Sequence, residues 1–151
     1  MREFTFEVPC EQSAATFWAL RSDVGFDRWF AALDRQDISV LGNEESTGAD
    51  GLVSTRRLQK LSFRTNPIPK PFRRLAGLRT DETFAFHVKS SFWTTVFDEQ
   101  HPYVFQTTFP GILASRVVVC GRQWCVPVTE NSCKLMGFVQ VCSQRVPATT
   151  A

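Results

Sequence analysis

Alternating apolar and polar residues predict that most of this chain forms β-strands. Residues 2–8 place Phe4, Phe6 and Val8 on one side and polar side chains on the other, which is typical of a half-buried strand that Pro9 would end. Six further strands are predicted over residues 37–41, 51–61, 83–97, 103–109, 116–128 and 133–146. Because the turns between the last of these strands are short, we expect them to be antiparallel neighbours.

Between the first two strands, the period of the pattern changes to that of a helix. Ser13 can cap a helix over residues 14–21, and either Ser22 or Asp23 can cap a second helix directly after it. The buried apolar residues are predicted to be Phe17 and Leu20 in the first helix and Phe26, Trp29, Phe30 and Leu33 in the second. One strand, two short helices and about six antiparallel strands make an α+β fold.

Positive charge is concentrated in residues 51–80, which hold eight basic side chains and no acidic one. Alternating prolines in residues 66–71 predict an extended entry to a short amphipathic turn, with Phe72 and Leu75 on one side and arginines on the other. Such a segment suits an anionic membrane surface; the alternative is a solvated loop with one apolar anchor in the core. The predicted membrane-contact residues are Arg56, Arg57, Lys60, Arg64, Lys70, Phe72, Arg73, Arg74 and Leu75.

The composition bounds the remaining chemistry. With 14 Phe and one Tyr, the chain is expected to enclose a large apolar core or an apolar cavity. The five cysteines are odd in number and form no C-x-x-C pair, so we expect free thiols, and His87 and His101 lack the spacing of a zinc site. With no signal peptide and no apolar run of membrane-spanning length, we expect a cytoplasmic protein, peripheral at membranes, with no cofactor.

Short runs along the chain carry a resemblance to a known fold family. They are residues 4–9, 14–20 and 26–30, the Pro-rich link at 66–71, the turn at 98–102 and residues 121–124. In these runs the chain resembles the START-like, or helix-grip (SRPBCC), superfamily, and most closely its VASt-type lipid-binding domains. The resemblance covers residues 1–151 as a single domain and implies a curved antiparallel sheet with two short helices after the first strand.

The same resemblance implies a long amphipathic helix at the C-terminus, which closes the cavity in family members. Residues 146–151 show no helical stripe, so we expect that helix to be absent and the domain to be truncated at its C-terminus. A sheet without its helix would expose a wide apolar face, which monomers rarely tolerate. A homodimer through this uncovered sheet face is therefore expected.

The resemblance also implies binding of a hydrophobic small molecule, a lipid or sterol, with transfer between membranes. The implied ligand-binding residues are Phe84, Phe86, Val88, Phe92, Phe105, Phe109, Arg122, Trp124 and Phe138. From the residues alone, these aromatic side chains are either core or cavity wall. Arg122 and Trp124 either meet a ligand carboxylate or phosphate, or stack on each other on the outer face of the sheet.

Two other functions stay open on the sequence: a cyclase or dehydratase type of enzyme that uses the same pocket, and a protein-interaction module. No hydrolase triad, P-loop or dinucleotide motif is present. Asp98, Glu99 and His101 share one turn and suggest a general base, but such turns more often cap strands, so no catalytic residue is predicted. Nucleic acid is not an expected partner, because outside residues 51–80 the chain is acidic.

Overall fold

A computed structural model describes residues 1–75, 77–79 and 83–143 of the chain. These residues form a seven-stranded antiparallel sheet with short helices between some of the strands. In chain order the elements are β1 (Arg2–Cys10), α1 (Ala14–Ser22), α2 (Val24–Leu33), β2 (Gln36–Thr47), β3 (Val53–Phe63), α3 (Lys70–Arg73), β4 (Ala85–Trp93), β5 (Tyr103–Thr108), a 3₁₀ helix (Gly111–Ser115), β6 (Val117–Thr129) and β7 (Ser132–Ser143).

The strands are ordered β1-β7-β6-β5-β4-β3-β2 across the sheet, and every neighbouring pair is antiparallel. From β2 to β7, each strand pairs with the next one along the chain, as the short turns predict. β1 forms the edge of the sheet opposite β2 and pairs with β7, so the first and last strands of the chain are neighbours. The predicted α+β order of one strand, two helices and six strands is confirmed.

Both edge strands are longer than the sequence pattern predicts. β1 continues through Pro9 to Cys10, because proline is tolerated on an edge strand where its missing N–H is not needed by a neighbour. β2 extends to Thr47 instead of ending at Leu41, and its polar second half pairs with β3 beyond a bulge between Val40 and Gly42.

The long strand predicted over residues 83–97 is shorter than expected, because β4 covers only Ala85–Trp93. Phe84 therefore precedes the strand and Val96 follows it. The last predicted strand ends at Ser143 in the structure, and residues 144–146 lie outside the described residues. The expected absence of a C-terminal helix also falls on residues that are not described.

Both helices begin at the predicted caps. The Ser13 side chain accepts from the backbone N–H of Thr16, and the Asp23 side chain accepts from those of Gly25 and Phe26. Asp23 is thus the cap of α2, one of the two candidates that the sequence offered.

The buried faces of the two helices differ from the prediction. In α1 the buried residue is Trp18, and Leu20 is exposed. In α2 the buried residue is Ala31, whereas the predicted stripe is largely on the surface: Trp29, Phe30 and Leu33 are all exposed. The reason is that α2 contacts the sheet through the side that carries Asp27 and Ala31, four residues apart.

The core is an aromatic cluster between α1 and the sheet, which we call the Trp18 cluster. The Trp18 ring stacks on Phe97 at 4.7 Å between centroids and meets Phe92 and Tyr103 edge-on. Its indole N–H donates to the backbone oxygen of Trp93 at 2.8 Å. This bond satisfies the one polar group of a side chain that is only 1% exposed.

Truncating the Trp18 cluster is expected to destabilise the fold strongly. Phe92→Ala removes a ring that is 2% exposed, and it should lower the free energy of unfolding by about 3–5 kcal/mol through lost burial and a cavity. Urea unfolding measures this change. The matched control is Phe72→Ala in α3, where the ring is 58% exposed and the change should stay below about 1 kcal/mol. Equal effects of the two substitutions would contradict this location of the core.

Candidate ligand site on the inner face of the sheet

The face of the sheet that packs against α1 and α2 is called the inner face here. Directly opposite residues of neighbouring strands share a face, so the registers identify one row of inner residues across most of the sheet. From β3 to β1, that row is Arg57, Ser90, Phe105, Gly121, Val139 and Phe4. The Phe105 ring covers Gly121, where an added Cβ would approach it to 2.7 Å. Gly121 thus allows Phe105 to lie flat against the sheet.

A cleft of about 310 Å³ opens between α2 and the inner face. Its apolar wall consists of Phe30, Ala31, Ile38, Leu61, Val88 and Phe105. Its polar lining consists of Arg21, Asp27, Asp34, Gln36, Gln59, Tyr103, Thr107 and Gln123. The cleft is therefore amphipathic, as small-molecule sites commonly are.

The Asp27 carboxylate is the centre of the polar lining. One oxygen accepts from Arg21 at 3.0 Å, and the other accepts from Gln59 at 3.0 Å and from Arg57 at 3.5 Å. The Asp27 and Arg57 side chains are only 13% and 7% exposed. A charge this deeply buried is stable only when it is paired and hydrogen-bonded, and these donors meet that need.

The two arginines of this network are held in fixed positions. Arg57 also donates to the side-chain oxygen of Asn43 at 3.1 Å and to the backbone oxygen of Ser22 at 3.0 Å. Its guanidinium carbon lies 5.0 Å from the centroid of the Phe92 ring, and that of Arg21 lies 4.6 Å from the Tyr103 ring. The arginine positions therefore link the cleft to the Trp18 cluster.

Three buried side-chain oxygens on the inner face lack a hydrogen-bond partner among the described residues. They belong to Gln123, Thr55 and Ser90. Gln123 lies directly opposite Tyr103 and lines the cleft beside Arg21. Buried polar atoms normally form hydrogen bonds, so the Gln123 side-chain oxygen is an acceptor in the cleft wall that lacks a donor in the described part of the chain.

A second aromatic cluster, the Phe63 cluster, lies at the end of β3 and β4 that is remote from α1. It consists of Phe63, Phe84, Phe86 and Phe109, whose rings pack at centroid distances of 5.7 to 6.4 Å. Phe84 is buried, and the backbone N–H of Phe63 donates to its carbonyl oxygen. None of these four rings lines the cleft, but Leu61 of the cleft wall lies directly opposite Phe86 on the neighbouring strand.

The structure divides the nine predicted ligand-binding residues into two groups. Phe86, Val88, Phe92 and Phe105 lie on the inner face, with Phe84 and Phe109 just beyond the strand ends in the Phe63 cluster. Arg122, Trp124 and Phe138 alternate to the opposite, outer face, so they do not join the others in one site. Only Val88 and Phe105 line the cleft itself.

The polar residues of the cleft were missed by the sequence reading. Asp27 stands between Phe26 and Arg28, outside the predicted apolar stripe, so nothing in the hydrophobic pattern marks it as buried. Arg57 and Gln59 share the inward phase of β3, whereas the sequence placed Arg57 among the membrane-contact residues. Arg57 is only 8% exposed and pairs with Asp27, so it is not a membrane-contact residue in this structure.

The other predicted membrane-contact residues occupy several surfaces. Arg56 and Lys60 are exposed on the outer face of β3. Arg64 pairs with Asp37 at 2.9 Å, and the bond to this arginine lowers the pKa of the Asp37 carboxyl. α3 and its flank, from Lys70 to Leu75, expose Phe72 by 58% and Leu75 by 76%. No helix of the described residues is long and apolar enough to cross a membrane.

A larger depression of about 660 Å³ lies on the outer face, around Leu41, Leu58 and Val104. Strands alone supply its floor, and neither helix contributes to its lining. Arg57 contributes to its lining, but the Asp27 carboxylate that Arg57 and Arg21 share lines the inner cleft and not this depression. We therefore regard the inner cleft as the candidate site in spite of its smaller volume.

The turn with the candidate general base lies away from the cleft. His101 contacts the Asp98 carboxylate at 2.9 Å, and this bond lowers the pKa of Asp98, which is exposed. Neither residue lines the cleft. Within the described ranges, no group of three His, Cys, Asp or Glu side chains is placed to hold a metal ion.

Solved structures share the fold at low sequence identity. The aromatase/cyclase Zhui from Streptomyces sp. R1128 matches with a TM-score of 0.56 and 11% identity, over 96% of this chain and 70% of that one. A norcoclaurine synthase point mutant from Thalictrum flavum, in complex with a transition-state analogue, matches with a TM-score of 0.53 and 16% identity, over 95% and 76%. Ara h 8.0201 matches with a TM-score of 0.50 and 11% identity, over 99% and 83%.

These structures show that the chain has the helix-grip, or START-like, fold, as the resemblance in sequence implied. No protein-family model matches the sequence, and no match is found among curated proteins. The likeness therefore concerns the fold.

Loss of the Asp27 carboxylate is expected to destabilise the chain, because it leaves Arg57 buried without its counter-charge. Asp27→Ala should lower the free energy of unfolding by about 3–5 kcal/mol, measured by urea unfolding. Asp37→Ala is the matched control, since it also removes an aspartate paired with an arginine, but at the surface, where little measurable change is expected. A near-neutral Asp27→Ala would contradict the structural role of the network.

Proposed function

We propose that this protein binds a hydrophobic small molecule of the lipid or sterol class in the cleft between α2 and the inner face. The observation that carries the proposal is the amphipathic lining of that cleft. An apolar wall adjoins a polar end formed by Arg21, Asp27 and Gln123, where Arg21 pairs with Asp27 and lies over the ring of Tyr103, the residue opposite Gln123. Such a lining suits an amphiphile whose apolar body lies along Leu61 and Val88 and whose polar group reaches the Asp27 network.

The chemistry of the polar end supports a ligand with at least one hydrogen-bonding group. Arg21 lines the cleft and is 19% exposed, so its guanidinium has donors to offer besides the one that Asp27 accepts. The Gln123 oxygen has no donor among the described residues. A ligand hydroxyl supplies both an acceptor and a donor, and a purely hydrocarbon ligand supplies neither.

The solved structures that share the fold also support a small molecule as the type of ligand. One of them, the norcoclaurine synthase mutant, is in complex with a transition-state analogue, and another is an aromatase/cyclase. Both names are those of enzymes that act on small molecules. At 11% and 16% identity, these activities serve here only as support for a small-molecule site on the same fold.

A cyclase-type or dehydratase-type enzyme is the second candidate, because several polar side chains converge on the cleft. Asp27 is the one carboxylate among them that is deep in the wall, and it already accepts from three donors. A carboxylate held in this way serves to position its partners, and a proton acceptor needs a free oxygen near the substrate. Binding without chemistry is therefore the better supported function. The protein-interaction module is less favoured, because the cleft is neither filled nor flat.

We also propose that the protein transfers its ligand between membranes, and the exposed α3 segment supports this. Phe72 in the short basic helix α3 and Leu75 just beyond it are exposed, and Pro67 and Pro69 precede the helix. Amphipathic basic segments lie in the headgroup layer of anionic membranes. The homodimer through the sheet face stays a prediction; it is compatible with the exposed inner residues Phe4 and Val8 of β1.

Filling the cleft is expected to abolish ligand binding without unfolding the protein. In Val88→Trp, the indole would occupy the space beside Leu61 and Phe105. Displacement of a fluorescent fatty-acid probe should show at least roughly tenfold weaker binding. Val126→Trp is the control, because it adds the same ring to an exposed position on the outer face. Unchanged binding by Val88→Trp, with the fold intact by circular dichroism, would place the ligand elsewhere.

Reversing charge in α3 is expected to weaken attachment to anionic vesicles. Arg73→Glu with Arg74→Glu should reduce binding to phosphatidylserine vesicles by roughly 30-fold or more, because each basic residue near such a surface contributes about 1 kcal/mol. Attachment of the parent protein should also fall with added salt. Arg2→Glu with Arg28→Glu makes the same change in net charge at other exposed positions and should bind like the parent. Equal loss in both double variants would show an effect of net charge alone.

A further inference from the structure

Three cysteines from three neighbouring strands gather at one place on the inner face. Cys10 of β1 and Cys133 of β7 are directly opposite each other, and Cys125 of β6 points to the same side. Cys125 and Cys133 are buried, whereas Cys10 lies half-buried on the edge strand. Burial and the neighbouring Cys10 thiol raise the pKa of Cys133, which agrees with close approach of the two sulfurs. All three are free thiols in the structure.

The register distinguishes which pair of these thiols can be joined. Directly opposite residues of antiparallel strands have Cα atoms roughly 4.5 or 5.5 Å apart, and both distances lie within the range of disulfides. Cys125 lies opposite Leu135, so it is diagonal to Cys133, at a separation of roughly 7–8 Å that a disulfide does not span without movement of the backbone. Geometry therefore selects Cys10 and Cys133.

We propose that Cys10 and Cys133 are a redox modification site, which a peroxide converts into a disulfide and a thiol reductant restores. The Cys10 thiolate attacks one peroxide oxygen, the O–O bond breaks, and Cys10 becomes a sulfenic acid with release of water from hydrogen peroxide. The Cys133 sulfur then attacks the sulfenic sulfur, and a second water leaves. Two thiols are oxidised by two electrons and one hydrogen peroxide is reduced to two waters.

The positions of the two residues match their different parts in this sequence. The oxidant must reach only Cys10, because Cys133 reacts with a group that is already inside the protein. Cys125 is not a competitor, since burial and the adjacent Cys133 raise its pKa to about 12 and keep it protonated. The product would fasten the edge strand β1 to β7 and close a loop that contains most of the chain.

The chain provides its own control pair. Cys120 and Cys142 also belong to β6 and β7, but on the outer face, where Cys120 lies opposite Gln140 and Cys142 lies opposite Val118. They are diagonal, and Cys120 contacts the Gln140 side-chain oxygen instead. Both are half-buried like Cys10, so they are no less accessible to an oxidant than the proposed pair, and their unsuitable register makes them a test of geometry.

The test treats the folded 151-residue chain with one equivalent of hydrogen peroxide and counts thiols after unfolding in denaturant. We expect the count to fall from five to three, with a peptide linked through Cys10 and Cys133 in the mass spectrum, and dithiothreitol should restore all five. The thermal midpoint of the oxidised protein should rise by roughly 5–10 °C. The variant Cys120→Ser/Cys142→Ser should still lose two thiols.

Variants at the proposed site separate its two steps. Cys133→Ser should stop at a Cys10 sulfenic acid that dimedone traps, and Cys10→Ser should show no loss of thiols at this peroxide dose. A disulfide between Cys120 and Cys142, a disulfide between two chains, or five remaining thiols in the parent would each overturn the proposal. Because Cys10→Ser changes a half-buried edge residue, it keeps the test informative even when substitution of the buried Cys133 prevents folding.

Discussion

The buried carboxylate of Asp27 decides how the helices sit on the sheet. It is shared by two guanidinium groups and an amide, and two of those three donors come from β3. Because an unpaired charge at this depth would be strongly unfavourable, α2 must turn the side of Asp27 and Ala31 towards the sheet. Trp29 and Leu33 then face outwards, and Phe30, although largely exposed, still contributes to the wall of the cleft. The same ion pairs link α1, through Arg21, to the first turn of α2.

The cleft derives its amphipathic lining from this arrangement. The strands contribute Leu61, Val88 and Phe105, which alternate inwards as half-buried strands do. The Asp27 network supplies fixed donors to the cleft, and Leu61 of the apolar wall lies directly opposite Phe86 of the Phe63 cluster. Such a lining supports the proposed binding of an amphiphile, whose polar group would meet the Asp27 network and whose apolar part would lie along Leu61 and Val88. The helix-grip fold therefore supplies the frame, and the Asp27 network supplies the local chemistry.

Much of the fold follows from the sequence, since period-2 alternation, proline and glycine punctuation and the two helix caps locate the elements. The ends of the edge strands were missed because an edge tolerates Pro9 and the polar stretch after Gly42, which would break an inner strand. The orientation of α2 was missed for a different reason. The hydrophobic pattern predicts that the stripe with Trp29 is buried, but a tertiary ion pair with a strand residue overrides this preference. Likewise, Arg57 is one of eight basic residues in its segment, and only the register places it inside.

Native mass spectrometry of the purified 151-residue chain, after incubation with a mixed set of fatty acids and sterols, tests the central claim most directly. The account predicts one molecule bound per chain, with hydroxyl-bearing or acidic amphiphiles retained and hydrocarbons of the same length lost, because only the former meet the polar end of the cleft. Chains that carry no small molecule at all, or that carry hydrocarbons as readily as amphiphiles, would contradict it.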